Sequence, residues 1–98
     1  MMYVRLHKVG KNDMLLAACD EDLLGKTFTS GKAKITVSET FYRGESVSPE
    51  AFVERMKSVS IMNLVGDEVI SLAISEGHVS EENVIEIGGV KHAQVVIM

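Results

Sequence analysis

The stretch SPEAFVERMKSVSIMNLVGDEVISLAISEG, residues 48–77, decides the fold class. Ser48 can cap a helix with its hydroxyl, Pro49 suits the first helical position, and Glu50 complements the positive helix end. Phe52, Val53, Met56 and Val59 then form one apolar stripe. A second helix is expected from Asp67, stopped by Gly77 as a left-handed C-terminal cap. Val69, Ile70, Leu72, Ala73 and Ile74 make it apolar over most of its surface, which predicts a central buried helix. Between the two, Asn63 interrupts the apolar run Ile61–Val65; a helix C-cap is the favoured reading, with a buried hydrogen-bonding post as the other.

Strand patterns flank this pair. Residues 2–8 alternate Val4 and Leu6 against Arg5 and His7, and Gly10-Lys11-Asn12-Asp13 is turn chemistry. Met14–Ala18 is a short apolar run that reads as the returning strand of a hairpin. Lys32–Ser38 alternates, with Ala33, Ile35 and Val37 expected inward. Ser80-Glu81-Glu82-Asn83 reads as one capped turn before a strand at Val84–Ile87. Gly88-Gly89 then allows a two-residue hairpin turn that sets Glu86 opposite Lys91. In that register His92 and Gln94 share a face with Ile85, Ile87, Val90 and Val96, so both need polar partners if that face is the core. The expectation is α/β (α+β-like): one compact domain over 1–98, a mixed sheet of about four to five short strands, two main helices and one or two short helical turns.

Composition bounds the function. With 98 residues, 46% hydrophobic and 24% charged, the chain can bury roughly two-thirds of its unfolded surface without a disulfide or metal. One cysteine, Cys19, excludes an internal disulfide and suits a reducing compartment. The N-terminus lacks the apolar stretch of a signal peptide, and no segment approaches a membrane span. A cytoplasmic protein without a membrane partner is expected. Residues 1–43 hold seven Lys/Arg against five Asp/Glu, whereas residues 44–98 hold three against nine. Only the first half could meet a polyanion, and there the basic residues are diluted by acids, which disfavours RNA. The helix at Asp67 carries Glu68 and Glu76 and no basic residue, so a helix-turn-helix contact with DNA is rejected.

The most conspicuous polar run is CDEDLLGK, residues 19–26. Cys19 precedes an expected one-turn helix, Asp20–Leu24, whose N-terminus could activate a thiol. Asp20, Glu21 and Asp22 oppose a thiolate, and a small buried residue at the end of the second strand is the better reading. The three acids point about 100° apart on a helix and do not converge on one ion. His7, His78 and His92 have no metal-ligand spacing, so no metal and no cofactor is expected. FYRGE, residues 41–45, joins two aromatics and Arg43, which can stack a planar ligand or simply build a turn. No GxSxG, GxGxxG or GxxxxGK[ST] pattern occurs.

CDEDLLGK (19–26), FYRGE (41–45), NLVGDEV (63–69), Gly77-His78-Val79 and GGVKHAQ (88–94) together resemble the archaeal family catalogued as domain of unknown function 424. The blocks occur in the family's order over nearly the whole chain. Where Lys91 stands the family pattern often carries Pro, a departure that bears on the last turn. The resemblance implies an archaeal cytoplasmic protein and brings no mechanism with it.

The favoured function is a non-catalytic binding module. It presents a polar patch of Asp20, Lys26, Tyr42, Arg43, Glu45, His92 and Gln94 to a protein or small polar ligand. The runner-up is a small enzyme using Cys19 or Asp20 as acid/base group with His92. The third is an accessory factor for RNA or the translation machinery, using Lys8, Lys11, Lys32, Lys34 and Arg43. The apolar helix at 67–76 also allows a homodimer.

Overall fold

The computed structural model describes residues 1–97. Its elements are β1 (Met2–Val9), β2 (Asp13–Asp20), β3 (Thr27–Ser30), β4 (Ala33–Thr36), α1 (Glu39–Tyr42), β5 (Glu45–Val47), α2 (Pro49–Met56), β6 (Ile61–Val65), α3 (Asp67–Ser75), β7 (Ile85–Ile87) and β8 (Val90–Val96). Single 3-10 turns occupy Glu21–Leu23 and Glu81–Asn83. Six strands form one sheet in the order β5-β1-β2-β6-β8-β7, and β3-β4 is a separate hairpin. The main sheet therefore has more strands than expected. It is antiparallel except where β2 and β6 run parallel.

Both faces of the sheet are packed. One face, with Val4, Leu16, Ala18, Met62, Leu64 and Ala93, lies under α2 and α3 through Phe52, Met56, Val69, Ile70 and Ala73. The other, with Ala17, Cys19 and Val65, is covered by the β3-β4 hairpin and α1 through Phe28, Ile35, Val37 and Tyr42. Two-sided burial explains why β2 reads as an unbroken apolar run instead of an alternating one.

β6 is where expectation and structure part. Ile61–Val65 is a strand, not the end of a helix, and Asn63 is the post: its Oδ1 accepts from the Tyr42 hydroxyl at 2.7 Å. Helix α2 ends at Met56, so Val59 packs on the core from outside the helix. Helix α3 lies on the sheet's face rather than centrally, with Val69, Ile70 and Ala73 buried and Ser71 and Ser75 exposed. Its apolar side is used within the chain, which removes the reason to place a homodimer there. Gly77, at φ 80°, ends it as expected; the His78 N–H reaches the Ala73 carbonyl and the Gly77 N–H that of Ile74.

The terminal hairpin has the expected register, with Glu86 opposite Lys91. Its core side is Ala93 and Val95, however, while Gln94 and Val96 stand exposed and His92 is buried on the opposite face. In the first hairpin Val4 is buried but Leu6 is 44% exposed. In the 32–38 strand Ala33 is exposed, Ile35 half-buried and Val37 fully buried. Among the described residues, no helix is long and apolar enough to cross a membrane.

Three glycines hold these layers together by close approach. A side chain at Gly66, already at φ 114°, would overlap the Asp20 carboxylate; one at Gly88 would stand 2.7 Å from the Thr29 carbonyl oxygen; one at Gly44 would press into β1 at Val4. Gly66→Ala is accordingly expected to cost about 2–4 kcal/mol, from backbone strain plus the overlap. Gly10→Ala, where nothing lies within 4 Å, carries only the backbone cost of about 1–2 kcal/mol. Urea unfolding midpoints of the two variants check this ranking; equal losses would contradict it.

Candidate functional site

The C-terminal ends of the parallel pair β2 and β6 define the most distinctive local geometry of the molecule. β2 delivers Asp20, and β6 leads through Gly66 into α3. Gly66 offers no capping side chain, so the first turn of α3 takes its acceptor from β2 instead. The Glu68 N–H donates to Asp20 Oδ2 at 3.1 Å and the Val69 N–H to Oδ1 at 2.9 Å. A carboxylate there satisfies two otherwise orphaned donors and complements the helix dipole. Burial nonetheless lifts the Asp20 carboxyl above its ordinary range, with Glu68 and Asp22 pushing the same way and the two N–H bonds opposing.

A cleft of about 150 Å³ opens beside this cap, lined by Asp20, Asp22, Leu23, Gly66, Asp67, Gly89 and Val90. Three of the sequence blocks singled out above meet in it: CDEDLLGK, NLVGDEV and GGVKHAQ. Asp22 and Asp67 make no hydrogen bond or ion pair among the described residues, and Leu23 and Val90 supply its apolar wall. In open sheets, crevices at the C-terminal ends of parallel strands are habitual ligand sites. Among the described residues, no group of three or more His, Cys, Asp or Glu is arranged to hold a metal.

The expected seven-residue patch is not one surface. Tyr42 is buried, donating to Asn63, and burial beside Cys19 pushes its hydroxyl pKa upward. Arg43 pairs with Glu39 at 3.1 Å, and Glu45 with Arg55 at 2.9 Å, both at the β5 edge. There Phe41 stacks on His7 with ring centroids 4.7 Å apart, and His7 Nε2 donates to the Phe41 carbonyl at 2.8 Å. FYRGE thus builds the corner that seats α1 and β5 on β1. Lys26 is exposed at the base of the β3-β4 hairpin, and Gln94 stands beside Asn63 in the β6-β8 register. The basic residues considered for RNA are also divided. Lys8 and Lys11 sit at or beside the β1-β2 turn, and Lys32 and Lys34 on the β3-β4 hairpin.

Nor does the structure assemble the acid/base pairs. Cys19 and His92 share a face but lie two strands apart, about 10 Å, with Val65 between them. Asp20 points to the other face, occupied by the α3 cap. His92 Nδ1 donates to the Leu64 carbonyl at 2.9 Å. The sequence signal that was overlooked is Gly66-Asp67-Glu68: a helix start whose N-cap has no side chain must borrow its acceptor from elsewhere.

Cys19 is fully buried, and burial beside Asp20 pushes its thiol up to about 12. A thiol-specific disulfide reagent at pH 8 is therefore expected to label the native protein only as it unfolds, with rates tracking denaturant. Labelling of the native state as fast as a free thiol would contradict this. Because the folded thiol titrates above its unfolded value of 9.0, this group's contribution to stability is complete below pH 9 and declines between pH 9 and 12.

The fold recurs in the crystal structure of an uncharacterized conserved protein from the archaeon Methanopyrus kandleri. The two are 28% identical with a TM-score of 0.80, and the alignment covers 99% of this chain and 93% of that one. No curated protein matches the sequence. The family model described as "Protein of unknown function (DUF424)" matches residues 7–98, and the chain belongs to that family.

Proposed function

We propose that the chain is a non-catalytic binding module whose recognition site is the cleft at the ends of β2 and β6. Its ligand is a cationic, donor-rich group, such as a lysine side chain of a protein partner or a small primary amine. The observation that carries this reading is the pair Asp22 and Asp67. Both carboxylates line the cleft unpartnered among the described residues, beside the apolar wall of Leu23 and Val90. An alkylammonium satisfies such a lining at both ends, its methylenes against the wall and its N–H donors on the acids.

Asp20 has a positioning role. Its oxygens are already committed to Glu68 and Val69, so it holds α3 and Asp67 in place while contributing negative charge. The same commitment speaks against an anionic ligand, because the helix N-terminus that would bind one is filled from within. An acid/base mechanism has less support. Cys19 is buried with a raised pKa, and neither it nor Asp20 reaches His92.

The test is an NMR titration of the protein with Nα-acetyl-lysine methylamide at low and high salt. Saturating shifts are expected at the Leu23, Gly66 and Gly89 amides, weakened by salt as the charges are screened. They should vanish in Asp22→Asn/Asp67→Asn, whose stability should fall by no more than about 1 kcal/mol from the lost helix-dipole charge. Shifts elsewhere, or shifts indifferent to the double substitution, would remove the cleft as the site.

A further inference from the structure

The last hairpin opens into a cavity whose origin is a missing rung of the sheet. Across β7 and β8, Ile87 faces Val90 and Ile85 faces His92, so the next rung would set Asn83 opposite Gln94. Asn83 instead closes the 3-10 turn Glu81–Asn83, and the two residues part. The Gly66 N–H donates to the Lys91 carbonyl at 2.9 Å and the Ile97 N–H to that of Ser60 at 2.7 Å, so odd-numbered residues of β8 turn their main chain toward β6. Even-numbered ones turn it outward, which leaves the N–H and C=O of Gln94 facing the gap on the same side.

A cavity of about 370 Å³ occupies that gap, lined by Asn83, Ile85, His92, Ala93 and Gln94. His92 is its fixed part: the residue is only 9% exposed, and its Nδ1 donates to the Leu64 carbonyl, which holds the ring in one orientation. Among the described residues Nε2 has no hydrogen-bond partner, and no buried side-chain nitrogen or oxygen goes unsatisfied, so Nε2 is open to the cavity that the ring lines. The carboxamides of Asn83 and Gln94 are likewise uncommitted among the described residues, and Ile85 adds an exposed apolar wall. In contrast to the acidic cleft, no charged side chain among the described residues lines this cavity.

We propose that this cavity is a second recognition site, for a small uncharged ring with an amide edge, an N–H beside a C=O, such as a free pyrimidine base. Such an edge takes the place of the missing rung. It pairs through two parallel hydrogen bonds with a side-chain carboxamide or with a main-chain N–H and C=O, and Asn83 and Gln94 supply both kinds. His92 Nε2 is the third contact: it accepts from a ligand N–H when the ring is neutral and donates to a ligand carbonyl when it is charged, and an amide edge offers both. The flat face of the ligand lies on Ile85. A few placed polar groups beside an apolar wall, in a cavity of this size, are the usual make-up of a small-molecule site. A neutral ligand is favoured over a nucleotide or an RNA strand, because Glu81 and Glu82 share the turn with Asn83 and Glu86 follows Ile85, and these acids repel phosphate.

An NMR titration of the whole chain with uracil, read beside one with 1,3-dimethyluracil, tests the site. Uracil should give saturating shifts at the Gln94 main-chain amide and at the side-chain amides of Asn83 and Gln94. The dimethyl compound keeps the ring and loses its N–H donors, and it should bind about tenfold more weakly or worse. Gln94→Ala and Asn83→Ala should each weaken uracil by about fivefold or more. Both side chains are exposed, so the urea midpoint should stay unchanged. Equal binding of the two compounds, indifference to both substitutions, shifts confined to the Leu23, Gly66 and Gly89 amides of the acidic cleft, or no shifts at millimolar uracil would overturn the proposal. So would a salt-sensitive preference for an oligouridylate, which would assign the cavity to RNA.

Discussion

A carboxylate at the end of one strand caps a helix that begins 47 residues further along the chain, and the layers of this protein are arranged around that contact. Asp20 Oδ1 and Oδ2 accept the Val69 and Glu68 N–H groups. For this to happen, β2 and β6 must lie side by side and in register, as they do from Leu15 opposite Ile61 to Cys19 opposite Val65. The residue between strand and helix must also leave room, which is why Gly66 stands there. Once α3 is set, Val69, Ile70 and Ala73 close one core, and Cys19, on the strand's other face, sits in the second. One residue pair, Cys19-Asp20, thus contributes to the second core and to the cap of the helix that closes the first.

The sequence blocks most suggestive of chemistry turn out to be largely points of close approach. Gly44 of FYRGE lies against β1, Gly66 of NLVGDEV against Asp20, and Gly88 of GGVKHAQ against β3. Tyr42 and Asn63 satisfy each other at the boundary of the second core. Subtracting these structural duties leaves a small polar residue set. Asp22 and Asp67 at the mouth of the cleft are its acidic members, and the cation recognition proposed above rests on them. The wider seven-residue patch dissolves because its members serve different contacts on different sides of the sheet.

Local signals in the sequence were legible where local physics decides. Ser48-Pro49-Glu50 starts α2, with the Ala51 N–H on the Ser48 hydroxyl at 3.2 Å. Gly77 ends α3, and Gly88-Gly89 turns the last hairpin in the expected register. The failures are all non-local. IMNLV carries no alternation because both its faces are covered, and its asparagine resembles a helix cap until Tyr42 arrives from 21 residues earlier. TFTS at 27–30 is too short and polar to read as a strand without its partner β4. His92 and Gln94 seemed to demand partners inside a core; half of that face is open, so only His92 needed one. For the site, the acidic cluster was visible, but that one of its members is spent on a distant helix was not.

The central claim is that Asp20 is an architectural carboxylate, distinct in kind from its neighbour Asp22. Chemical denaturation of Asp20→Ala beside Asp22→Ala at neutral pH tests it most directly. The account predicts a loss of about 2–3 kcal/mol for the first, as two helix N–H groups lose their acceptor, and a change within about 0.5 kcal/mol for the second. Equal effects, or a larger loss at Asp22, would contradict it.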